Sequence, residues 1–193
     1  LEVNTPLLSA GVVVEEHIDP IPCRVQAGGE AADRYLLTSP EGPMKRLLAM
    51  GSGAIYQFAH AFRDGEIGRR HSPEFTMLEW YRPGFDHDAL MDEVEVFVRA
   101  LLPDVGDAPF ERWSYRELFL EHASIDPFAT TTEELRETCQ RLEIPAPASF
   151  ADGSLDEWLD LLLVGQIEPK LGQPTPLFLH DYPESQAALA QVH

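Results

Sequence analysis

An α+β fold, an antiparallel sheet flanked by helices, is what this amino-acid sequence predicts, and three observations carry the prediction. Strand-like runs occupy the chain before residue 82. Apolar residues recur at helical spacing from residue 88, and a strand-like run returns at 176–182.

The elements follow in order. RYLLT (34–38) reads as a strand. In SPEGPMKRLLAMG, Pro43 suits the first turn of a helix and Gly51 its C-terminal cap, which predicts a short helix over 42–50. AIYQFAHAF (54–62) is the next strand, and RDGEIGRR (63–70) is a polar connection containing glycines. HSPEFTMLEWY (71–81) then closes an antiparallel hairpin. Leu90, Val94, Phe97, Val98 and Leu101 place an amphipathic helix over 88–102, stopped by Pro103, with Asp88 as its N-cap. Three capping boxes come next: Ser114 with Glu117, Thr131 with Glu134, and Ser154 with Glu157. PLFLHDY (176–182) is the returning strand. Residues 1–193 are expected to form one domain.

Composition excludes several classes of function. Hydrophobic residues make up 44% of the chain and charged residues 24%, as in ordinary globular proteins. Acidic side chains number 33 against 14 basic ones, a net charge of -19. Such a field repels phosphate backbones and argues against broad nucleic-acid binding. Cys23 and Cys139 are far apart and suit a reducing compartment. No signal-peptide pattern opens the chain, and no apolar run approaches the ~20 residues of a membrane helix. A soluble, cytoplasmic protein without a membrane partner is expected. The chain opens LEVNTPLLS without Met and closes ALAQVH, so both ends read as cuts through structured sequence. Asp86-His87-Asp88 matches no metal-ligand spacing, and no metal-binding residues are expected.

Glu79 poses the main chemical question. In 73–82 the odd positions are Pro73, Phe75, Met77, Glu79 and Tyr81, and both faces of the strand carry bulk, so it is expected to be covered on both sides. A carboxylate there needs a cationic partner or must take up a proton. Two answers stay open: an arginine of the fold, or the ammonium group of a ligand. Phe75, Tyr81 and Arg63 favour the ligand. An arginine at a strand end holds phosphate through two parallel hydrogen bonds, although Asp64 or Glu66 could pair with Arg63 instead. No GxxxxGK[ST] loop is present.

The motifs resemble a family. FRDGEIGRRHSPEFTMLEWYRPG is similar to motif 2 of the class II aminoacyl-tRNA synthetases in its lysine-specific form. LEVNTPLLS resembles the tail of motif 1, and TSPEGPMKRLL the segment that binds the amino group of the substrate. The resemblance spans essentially the whole chain. LEWYRPG and YPESQAALAQ (182–191) look like the paralogous elongation factor P–(R)-β-lysine ligases.

That resemblance implies a class II synthetase-like catalytic domain and a homodimer. It implies ATP and Mg²⁺, with lysine or β-lysine as substrate and elongation factor P as partner in preference to tRNA. By position, Ser39, Pro40, Glu41, Glu79 and Tyr81 would bind the substrate, with Glu79 facing an amino group. Arg63, Asp64, Gly65, Glu66, His71, Ser72 and Phe75 would bind ATP, with Arg63 at the α-phosphate as the catalytic residue and Phe75 stacked on adenine. Gly65 stands where the family carries an acid, and Glu66 follows it; Ser72 replaces the usual Asn. The later acids and motif 3 have no counterpart before His193, so residues 1–193 alone are expected to give no turnover. Two rival readings remain: a lysyl-tRNA synthetase, and a truncated, non-catalytic synthetase-like module. The acidic charge and Trp80-Tyr81-Arg82-Pro83 favour the ligase.

Overall fold

In a computed structural model the described residues are 1–11, 18–69, 71–147, 150, 153–172, 174–187 and 190. They gather into two compact units, Leu1–Leu90 and Met91–His193. Residues 188, 189 and 191 of the YPESQAALAQ segment lie outside the described residues.

The first unit holds two sheets. Strands β1 (Leu8–Ser9), β2 (Pro22–Ala27) and β3 (Glu30–Leu36) form an antiparallel sheet in the order β1-β3-β2. β2 and β3 are joined by Gly28-Gly29, both at positive φ (63° and 92°), a two-residue turn that suits glycine and matches hairpin twist. The reading of 34–38 as a strand is corrected here. β3 starts four residues earlier and stops at Leu36, because Leu37 turns its N–H to Leu7 and its carbonyl to Phe62.

Helix α1 (Glu41–Ala49) follows, shifted by one residue from the predicted span. Its end is a Schellman turn: Ser52 N–H bonds the Leu47 carbonyl, Gly51 N–H bonds Leu48, and Gly51 has φ 87°. Strands β4 (Ile55–Phe62) and β5 (Glu74–Tyr81) then form the expected antiparallel hairpin, in register from Ile55 opposite Tyr81 to Phe62 opposite Glu74. The expectation that β5 is covered on both sides is not met. On the face carrying Trp80 and Leu78, the partners Tyr56 and Phe58 are 38% and 60% exposed.

Helix α2 (His87–Leu101) runs across the boundary between the units. Its cap is Asp86, not Asp88: the Asp86 carboxylate accepts the Ala89 N–H at 2.8 Å, three residues on. The second unit is mainly helical, with α3 (Tyr115–Ala123), α4 (Thr132–Arg141) and α5 (Leu155–Leu162). All three predicted capping boxes form with both reciprocal hydrogen bonds. Tyr115, Phe119, Leu135, Cys139, Trp158 and Leu162 build its core. Strand β7 (Leu177–His180) lies where the returning strand was expected, and pairs parallel with β6 (Glu111–Ser114). The parallel pair adds to the antiparallel pattern; β6 is too short, at four residues, to show a strand period.

Candidate functional site

The site is built on the first unit, around the face of β5 that carries Phe75, Met77, Glu79 and Tyr81. On that face the opposing β4 residues are Ala61, Ala59, Gln57 and Ile55, all buried. A two-residue period therefore sets Phe75, Glu79 and Tyr81 in one row.

Glu79 is half-buried, and the structure brings two hydroxyls to it. Ser39 Oγ donates to Oε2 at 3.0 Å and the Tyr81 hydroxyl donates to Oε1 at 2.5 Å. Ser39 Oγ also accepts the Glu41 N–H at 3.1 Å, which aims its own proton at Glu79. Pro40 is fully buried between them in sequence and fixes the entry to α1. Among the described residues Glu79 has no cationic partner.

A second acid stands close by. Burial pushes the Tyr81 hydroxyl well above the usual tyrosine range, the hydrogen bond and charge of Glu79 add to this, and the charge of Glu41 adds again. Glu41 is paired with Lys45 one turn along α1. Ser39, Glu41, Glu79 and Tyr81 thus form one acidic, hydroxyl-lined group, which chemically favours an ammonium ion.

Arg63 begins the connection at the other end of the hairpin. Its Nε donates to the Thr38 carbonyl at 3.4 Å, next to Ser39, and its guanidinium lies 5.1 Å from the centre of the Phe75 ring. Nη1 lies 3.7 Å from Glu66, a single long contact that leaves the planar fork otherwise open. Gly65 has φ 74°, a conformation that disfavours a side chain at that position. Asp64 turns its carboxylate to the Gly65 N–H at 2.9 Å and its own N–H to Asp19 at 2.8 Å.

His71 and Ser72 are exposed, and neither side chain makes a hydrogen bond or ion pair among the described residues. The structure therefore joins ten of the twelve expected site residues into two linked groups and leaves these two apart. Sequence reasoning missed Thr38, whose carbonyl holds Arg63, and Gln57, a polar residue buried opposite Glu79. A glutamine on the otherwise apolar inward face of β4 was the available signal for the second.

Comparison with known proteins agrees with the residue pattern. The family described as class II tRNA synthetases (D, K and N) matches residues 1–193. The chain is similar to the elongation factor P–(R)-β-lysine ligase of Erwinia tasmaniensis, at 44% identity over all of this chain and 58% of that protein. It is 45% identical to the protein of the same name from Yersinia enterocolitica, again over 100% of the chain and 58% of the relative. The Vibrio cholerae protein of that name is also 45% identical, over 100% of the chain and 59% of its own length. The chain thus spans less than two thirds of the length of the relatives it matches.

Proposed function

This chain belongs to the class II tRNA synthetases of the D, K and N group, and we propose that it carries one wall of the active site of an ATP-dependent ligase. That ligase activates lysine or (R)-β-lysine as an adenylate and transfers it to a lysine of elongation factor P, working as a homodimer. The observation that carries the reading is Glu79: a half-buried carboxylate that meets two neutral hydroxyls and no cation among the described residues. The names of the relatives support the choice of substrate and acceptor.

In the first step the substrate carboxylate attacks the α-phosphorus of ATP and pyrophosphate leaves. Positioning and charge stabilisation dominate such a step. Glu79 and Glu41 hold the amine end of the substrate, with Ser39 and Tyr81 orienting the Glu79 carboxylate. Arg63 lies at the far end of the same face, where its open fork neutralises charge growing on the α-phosphate. Phe75 offers its ring to the adenine, with the guanidinium of Arg63 over it. Asp64, Gly65, Glu66, His71 and Ser72 surround the nucleotide from the connecting loop. Mg²⁺ is expected for ATP chemistry, yet the loop acids do not fit a metal cage: Asp64 is bonded to Gly65 and Glu66 faces Arg63. In the second step a lysine amine of elongation factor P attacks the activated carbonyl and AMP leaves, with no enzyme nucleophile required.

The test, run on the whole ligase of which this chain carries one wall, is ATP–pyrophosphate exchange with L-lysine, D-lysine and (R)-β-lysine, followed by transfer to purified elongation factor P or to tRNA. Exchange with lysine or (R)-β-lysine and labelling of elongation factor P are expected. Efficient charging of tRNA would overturn the choice of acceptor.

A further inference from the structure

Gln57 stands in the middle of β4, directly opposite Glu79 and on the same face of the hairpin. It is 1% exposed, between the buried apolar Ile55 and Ala59 of that face. A carboxamide there has an acceptor and a donor to satisfy. Its Oε1 is satisfied twice, by the Thr5 N–H at 3.2 Å and the Thr5 hydroxyl at 3.0 Å. A backbone N–H can only donate, so the oxygen must face Thr5 and the amide cannot turn over. The Nε2 group is buried and has no hydrogen-bond partner among the described residues. Folded proteins seldom leave such a donor unpaired, so it calls for an acceptor.

The directly opposed side chain is an acceptor. Opposed residues of an antiparallel pair hold their Cβ atoms roughly 4.5–5.5 Å apart, within reach of two long polar side chains. Each oxygen of Glu79 accepts one hydroxyl, and a carboxylate has about four acceptor positions. Room remains for a substrate ammonium and one further N–H.

The two side chains are not hydrogen-bonded in this structure, and we infer that Gln57 is a positioning residue of the amine receptor that engages with the substrate: its oxygen anchors it to Thr5, and with the amine bound its side-chain N–H donates to the Glu79 carboxylate and holds it facing that amine. This rests on the reading of Glu79 as the receptor of a lysine ammonium.

The experiment titrates L-lysine, 6-aminohexanoate and norleucine calorimetrically into the protein and its variants, with a melting temperature for each. The two analogues each lack one amino group of lysine. Glu79→Gln is expected to weaken lysine about 10-fold or more and to spare the analogue that lacks the amine Glu79 receives. If Glu79→Gln changes no affinity, the receptor reading falls, and the role of Gln57 falls with it.

Gln57→Glu keeps an oxygen for Thr5 and replaces the donor with a second acid opposite Glu79. Two opposed carboxylates share a proton, so the pH midpoint of lysine binding is expected to rise by about one unit or more. Gln57→Met is expected to weaken lysine about 10-fold in the unaltered protein and not at all beside Glu79→Gln, the signature of a coupled pair. An unmoved pH profile, or equal losses in both backgrounds while Glu79→Gln is itself impaired, overturns the role of Gln57 alone and leaves it an anchor for Thr5.

Discussion

A carboxylate removed from water without a counter-charge is costly, and Glu79 reduces that cost with two hydroxyl donors while staying open to a cation. Ser39→Ala removes one donor and also releases the Glu41 N–H, so lysine affinity should fall by about 10-fold; calorimetric titration checks this against an unchanged fold. Arg63 acts on a different charge. Arg63→Ala should lower the rate of pyrophosphate exchange by about 100-fold or more, with a smaller change in the KM for lysine. Tyr81 gives a pH-dependent prediction, because burial and Glu79 raise its folded pKa above the unfolded value. A raised pKa means that the stability contributed by the protonated hydroxyl is complete below the unfolded pKa of about 10 and is lost as pH rises beyond it. The stability advantage over Tyr81→Phe should be constant from about pH 7 to 9 and shrink above about pH 10, by no more than about 1.4 kcal/mol per pH unit. Urea midpoints at pH 8 and pH 11 measure it; an advantage that grows with pH would contradict the sign.

Elements decide where these groups stand. The face of β5 lines up Phe75, Glu79 and Tyr81, and α1 brings in Ser39 and Glu41 from its start. α1 is nine residues long, too short to be stable alone, and its ends are therefore informative. Pro43 falls in the first turn, where its missing N–H costs nothing, and Gly51 closes the Schellman turn at positive φ. Gly51→Ala should cost about 1 kcal/mol in urea unfolding and weaken lysine binding with it, since Ser39 and Glu41 depend on the same helix. The capped elements were legible in sequence because a cap is a local signal, three residues wide. The β2–β3 hairpin was not read, although Gly28-Gly29 marks its turn, because polar and alanine-rich flanks hide the two-residue period. The cap of α2 was placed two residues late for a related reason. Asp86 and Asp88 are both good caps by type, and only the backbone path chooses between them.

At the scale of the molecule, a net charge of -19 acts on every group at once. Self-repulsion of that size destabilises a compact state and is screened by salt, so the melting temperature should rise between roughly 10 and 150 mM salt. A flat or falling response would mean that local ion pairs such as Arg99–Glu95 and Arg112–Asp92 outweigh the general field. Those pairs also engage two acids of α2, Glu95 and Asp92. The amino-acid sequence by itself determined α1, α2, the β4–β5 hairpin, the three capping boxes and the family, because each rests on residues close together in the chain. It also named Ser39, Glu41, Arg63, Phe75, Glu79 and Tyr81, through a motif whose spacing is local. Only the tertiary structure decided which side chains meet at Glu79 and at Gln57: Ser39 is 40 residues from Glu79 and Thr5 lies 52 residues from Gln57, and no periodicity reports such contacts. The same holds for Arg63, which meets a carbonyl at Thr38 and an aromatic face at Phe75. Local pattern fixes which side of a strand a residue occupies; the partners waiting on that side are set by how the chain returns.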